Sequence, residues 1–135
     1  MVRFRISSTV VVGLLLMGAL GCGASHYQPS GKITKGGAPL TISEKGVLEI
    51  ALYAESDKDF GSPEAVTWEK DGSFKVKGRL GTGVPAGKYR VSVALKDPYT
   101  PNAKDVFEGK FAKANAQVFE VKDSSTLLEV DVDKK

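Results

Sequence analysis

The sequence predicts an all-β protein, an antiparallel two-sheet β-sandwich of about seven strands lying behind an N-terminal export segment. Three observations lead there. From Ser30 onward apolar residues recur with period two rather than 3.6. Glycine, proline and Asp-Gly punctuate these runs at short intervals, and no stretch offers a long capped helical pattern. A chain of 135 residues, 41% hydrophobic and 26% charged, suits one domain with a folded core. Its 15 glycines and 6 prolines stay below the level of a collagen-like or low-complexity chain.

The first segment, residues 1–21, reads as a secretory signal. Arg3 and Arg5 precede Val10 to Leu20, a run of about eleven apolar or small residues without a charge. A helix needs roughly 20 such residues to cross the hydrocarbon core, so a permanent span is the weaker reading. Ala19-Leu20-Gly21-Cys22 follows, and Cys22 is the only cysteine. This tetrapeptide resembles the lipobox of bacterial lipoproteins. The resemblance implies cleavage before Cys22, a diacylglyceryl group on its sulfur and a fatty acyl chain such as palmitate. Gly21 gives the peptidase room at the bond. The alternative is a plain secreted chain cut near Gly23 to Ser25.

One cysteine allows neither an intramolecular disulfide nor a zinc cluster, so packing alone must hold the core. Removing residues 1–21 leaves 17 basic against 16 acidic residues, a balance of +1. Near neutrality and an extracytoplasmic destination together argue against nucleic acid as a partner. Residues 22–30 read as the lipidated cysteine and a polar tether. The eight residues from Gly23 to Ser30 reach roughly 26 to 29 Å when extended.

Residues 31–135 are expected to form the sandwich. Gly31 to Thr34 is the first strand candidate, and Gly36-Gly37-Ala38-Pro39 turns the chain after it. Val47 to Tyr53 follows. Ala65 to Trp68 and the run through Phe74, Val76 and Arg79 flank Asp71-Gly72, a hairpin signal. In Lys88 to Lys96, Tyr89, Val91, Val93 and Leu95 share one face, and Lys88, Arg90, Ser92, Ala94 and Lys96 the other. Val106 to Phe111 holds no single face, Ala112 to Ala116 suits a helical turn, and Ala116 to Val121 and Leu127 to Val132 complete the set. Trp68, the only tryptophan, reads as a core residue between sheets, with a solvent-facing ligand platform as the alternative.

Gly31-Lys32-Ile33-Thr34, Gly37-Ala38-Pro39-Leu40, Asp71-Gly72-Ser73-Phe74 and the run Gly81 to Val93 (GTGVPAGKYRVSV) together resemble the carboxypeptidase regulatory-like domain. More narrowly, the chain is similar to small lipoproteins of planctomycete-type bacteria that carry it. The resemblance covers most of Ser30 to Asp133 and implies a transthyretin-like sandwich. Its motifs specify scaffold and are nearly silent on activity.

Side chains suited to chemistry are few. The lone histidine, His26, lies in the tether, where nothing would orient it as a base. Glu55, Asp57, Asp59 and Glu64 form an acidic loop that could offer oxygen ligands to calcium, but the EF-hand spacing fails: from Glu55, glycine falls seventh and the twelfth place is Val66. No metal site and no cofactor is therefore assigned. Lys75, Lys77, Arg79, Lys88 and Arg90 would form a basic patch if their strands were neighbours, or pair with acids such as Glu129 and Asp131. Tyr99, between Pro98 and Pro101, could stack on a sugar, or be a surface tyrosine stiffened by its prolines.

The expectation is a non-enzymatic lipoprotein, extracytoplasmic and anchored through Cys22 to the cell membrane or outer membrane. There it would serve as a structural or interaction module for an unidentified envelope protein or polymer. The rival is a binding protein for carbohydrate, calcium or an envelope polymer, using Glu55, Asp57, Asp59, Glu64 and Tyr99. An enzyme would need a carboxylate pair converging in a cleft.

Overall fold

The computed structural model describes residues 25–56 and 61–134, which form an all-β sandwich. Residues 1–21, expected to be a signal segment, lie outside them, as do Cys22, Asp57 and Asp59. The strands are β1 (His26–Tyr27), β2 (Ser30–Lys35), β3 (Ala38–Pro39), β4 (Val47–Ala54), β5 (Val66–Trp68), β6 (Ser73–Val76), β7 (Val84–Pro85), β8 (Gly87–Lys96), β9 (Gln117–Val121) and β10 (Leu127–Asp131). One sheet runs β10-β2-β6-β5, with β3 joined to the end of β2. The other runs β4-β8-β9, and β1 and β7 make a two-stranded ribbon.

Both sheets contribute to one core. Ile33, Val76, Leu128 and Val130 meet Leu48, Leu52, Val91 and Val93, all essentially inaccessible. Each such side chain stabilises the fold by about 1.5–3 kcal/mol relative to its exposed state. In β8 the expected alternation holds, with Tyr89, Val91, Val93 and Leu95 buried. Trp68 is half-buried at the margin of this core, with the Lys70 ammonium 5.4 Å from its ring centroid.

β2 is the organising strand. It pairs with β6 and β3 along one edge and with β10 along the other. The β10 pairing is parallel, with Leu127 to Asp131 opposite Ser30 to Thr34, where antiparallel neighbours were expected throughout. The cause is a change of sheet. β9 belongs to the β4-β8-β9 sheet, and the turn at 122–126 carries the chain across to the opposite layer instead of folding it back as a hairpin. The register sets Lys32 beside Glu129, 3.5 Å apart.

Other expectations change in detail. β6 stops at Val76, not Arg79, because Lys77 N–H and Gly78 N–H both donate to Ala65 O, at 2.8 and 3.1 Å, and the shared acceptor ends the regular ladder. Around Asp71-Gly72 the hairpin forms, but its loop is wider than a two-residue turn: Trp68 pairs with Phe74, and Glu69 N–H donates to Ser73 O. Val106 to Phe111 is not a strand. It lies along β8, with Val106 N–H donating to Leu95 O at 2.7 Å and Val93 N–H donating to Phe111 O at 3.0 Å. Lys113–Asn115 forms a single 3₁₀ turn.

The supposed tether is mostly folded. His26 pairs with Pro85 and Tyr27 with Val84, Pro29 is buried, and Val76 N–H donates to Pro29 O at 3.0 Å. Between Cys22 and β1 only Gly23, Ala24 and Ser25 intervene.

Two substitutions in β2 test this account. A Cβ at Gly31 would stand 2.1 Å from Phe74 Cζ and 2.5 Å from Leu128 O, so Gly31→Ala should cost about 1–3 kcal/mol in denaturant unfolding. Thr34 is buried, and its hydroxyl has no hydrogen-bond partner among the described residues. Thr34→Val should therefore raise stability by about 1 kcal/mol. A loss of stability would show that the hydroxyl is satisfied.

Candidate functional site

The residues singled out in the sequence do not converge. Glu55 and Glu64 lie near the start of β8, where Glu55 N–H donates to Lys88 O at 2.9 Å. Tyr99 lies beyond its other end, 56% exposed, its N–H donating to Lys45 O at 2.7 Å. Ten residues of strand, about 30 Å, separate the two. Asp57 and Asp59 are outside the described residues.

Glu64 is the best-built of these side chains. Its backbone bridges to Leu52, which fixes the carboxylate against β4, and the side chain is 14% exposed. It accepts from Arg79 N–H at 2.9 Å and from the Arg79 guanidinium Nε and Nη2, both at 3.4 Å. Glu55 faces Arg90 at 3.9 Å. Beside them the Tyr89 phenol donates to Pro85 O at 2.7 Å, and burial, with the Glu64 charge adding to it, pushes this phenol above its ordinary pKa. It stays neutral at physiological pH. Glu55, Glu64, Arg79 and Tyr89 line an open depression with Pro85, Ala86 and Lys88. Two carboxylates already facing arginines leave little for a ligand cation to recruit.

The basic stripe is divided. Lys75 lies on β6 and Lys88 and Arg90 on β8, in different sheets, so no single patch forms. Arg79 and Arg90 meet Glu64 and Glu55, while Lys32, not the stripe, meets Glu129. Among the described residues no group of three His, Cys, Asp or Glu gathers in metal-binding range, and no helix is long and apolar enough to cross a membrane.

What sequence reasoning missed is the work of the other aspartates. Asp131 accepts from Gly36 N–H, Gly37 N–H and Asp133 N–H, each at 3.0 Å, and so closes the β2–β3 turn. Asp105 accepts from Leu95, Phe107 and Gly109 N–H at 2.9 to 3.0 Å, which pins the 105–112 segment to β8. Asp97 takes both the N–H and the hydroxyl of Ser43. Asp71 and Asp123 each hold the serine two residues on, through its N–H and hydroxyl. Asp-x-Ser is a sequence signal for such a turn. Lys70 plays the cationic counterpart, its Nζ donating to Ser43 O at 3.0 Å and Gly46 O at 2.9 Å.

These bonds favour the ionised carboxylates. The Ser73 hydroxyl holds Asp71 below the ordinary aspartate range, the Ser43 hydroxyl does so for Asp97, the Ser125 hydroxyl for Asp123, and the Asp133 N–H for Asp131.

Compared with protein-family models, with curated proteins and with solved structures, the chain matches none.

The lowered aspartates fix a pH dependence. The unfolded chain takes up these protons near pH 4 and the folded chain only at lower pH. Their contribution is therefore complete above the ordinary aspartate range and is lost as pH falls through the folded values. Denaturant midpoints should drop between about pH 5 and pH 2. Asp131→Asn should be less stable than the parent at neutral pH and should decline less over that interval. An equally steep decline would exclude Asp131 as a source.

Proposed function

We propose that this chain is an exported lipoprotein, held at a bilayer through Cys22, whose sandwich serves as a non-enzymatic structural or interaction module of the cell envelope. One observation carries the reading: Ala19-Leu20-Gly21-Cys22 stands directly after an uncharged run of about eleven apolar or small residues that is preceded by two arginines. An acyl chain contributes about 0.8 kcal/mol per buried methylene, and more than one chain makes residence long-lived. The resemblance to planctomycete-type lipoproteins with a carboxypeptidase regulatory-like domain points the same way. Gly23, in place of the aspartate that retains some lipoproteins at an inner membrane, favours an outer membrane where one exists.

The arrangement of charge supports a passive role. Aspartates close turns, Glu55 and Glu64 face Arg90 and Arg79, and Lys96 bonds Glu49 at 2.8 Å. The rival reading, a receptor for carbohydrate, calcium or an envelope polymer, has to draw on groups about 30 Å apart.

Cys22→Ala should move the protein from the membrane to the soluble fraction, or leave it as uncleaved precursor, and should abolish incorporation of labelled palmitate. Intact mass of the native protein should begin at Cys22 with the acyl increment. Unchanged fractionation of the variant would refute lipid attachment.

A further inference from the structure

We propose that the end of the sandwich bearing β1, β7 and the 78–83 turn is a bilayer contact surface, with Leu80 and Leu127 set into the headgroup boundary; this rests on the lipid anchor proposed above. The first argument is chain length. Three residues separate Cys22 from His26, and the four residue steps between them span at most about 14 Å when fully extended. A domain anchored at Cys22 therefore cannot stand clear of the surface. Whatever surrounds β1 faces the lipid.

The second argument is what surrounds β1. Leu80 is 88% exposed, the most exposed large apolar side chain among the described residues, and it shares a small depression with His26, Arg79 and Pro85. Leu127, 56% exposed, opens β10 opposite Ser30. Leucines in these positions are costly in water and favourable at an acyl boundary. Lys77, whose carbonyl accepts from Gly83 N–H, and Lys122, in the 122–126 loop, border the same end, and lysine ammonium groups suit anionic headgroups. Of the acids described there, Asp123 is turned onto Ser125, Glu64 onto Arg79 and Glu55 toward Arg90, and Glu120 stands in register with Lys88.

Third, the leucine turn is fixed to the anchored strand. A Cβ at Gly83, whose φ is +99°, would stand 2.3 Å from Tyr27 O, so only glycine lets the turn close on β1. Gln28 Nε2 donates to Gly81 O at 2.8 Å, and Gln28 N–H donates to Ser124 Oγ at 3.2 Å. The turn, the 122–126 loop and β1 thus move together.

The test uses the full-length lipidated chain in vesicles of phosphatidylethanolamine and phosphatidylglycerol, some of whose acyl chains carry a doxyl quencher. With the Cys22 sulfur occupied by lipid, Leu80→Cys, Leu127→Cys and Tyr99→Cys each offer one thiol for a polarity-sensitive fluorophore. Labels at positions 80 and 127 should shift to the blue and lose emission to the doxyl lipid. The label at Tyr99, at the far end, should do neither. If the protein sediments with the vesicles while positions 80 and 127 report water, the contact surface is refuted and the anchor stands. A blue shift without doxyl quenching means a protein cover and also refutes it. Failure to sediment removes the anchor and this surface with it.

Discussion

The fold depends on the close packing that Gly31 permits near the start of β2. A six-residue strand there carries β10 on one edge and β6 and β3 on the other, and the Phe74 ring lies in the space a side chain at Gly31 would occupy. Filling that space would press on Phe74 and on the Leu128 carbonyl together, one from the core and one from the neighbouring strand. β2 also sets the parallel register of β10, which brings Leu128 and Val130 into the core. The larger sheet and its share of the apolar interior follow from this one strand.

A second constraint is electrostatic. Small sandwiches leave many loop N–H groups without a ladder partner, and an unsatisfied polar group is costly once water is excluded. Here aspartate carboxylates answer several of them at once: Asp131 for the β2–β3 turn and Asp105 for the segment beside β8. Lys70 does the reverse, donating to the carbonyls of the 43–46 loop. With no disulfide to close loops, such bonds fix the ends of the sandwich while the apolar layer fixes its middle. Aspartates outside the acidic 55–64 loop thereby serve as architecture.

The proposed anchor and the fold meet at β1. Because His26 and Tyr27 are hydrogen-bonded into a ribbon with β7, a lipid on Cys22 would hold the body by a short leash and give it a preferred face toward the membrane. The opposite end, with the 43–46 loop and Tyr99, would then point outward. Orientation, more than any pocket, is what this architecture would offer under the proposed envelope role.

Much of this was legible in the residues. The alternation of Tyr89, Val91, Val93 and Leu95 gave β8 its buried face, and period two in a strand leaves no other choice. Local spacing likewise gave β2, β4, β5 and β9 to within a residue or two, the Gly36-Gly37 turn, and the pattern ending at Cys22 on which the proposed export and anchoring rest. Apart from the β5–β6 hairpin signalled by Asp71-Gly72, strand pairing was not legible, because alternation says which side of a strand is apolar and nothing about its neighbour. Hence the parallel β2–β10 pair, the folding of His26 to Ser30 onto the body and the separation of Lys75 from Lys88 appear only in three dimensions. The same holds for Glu64, whose partner Arg79 is distant in sequence, and for Tyr99, which the length of β8 removes from it. Periodicity is a local property of the chain; partnership is decided by which surfaces the closed core leaves side by side.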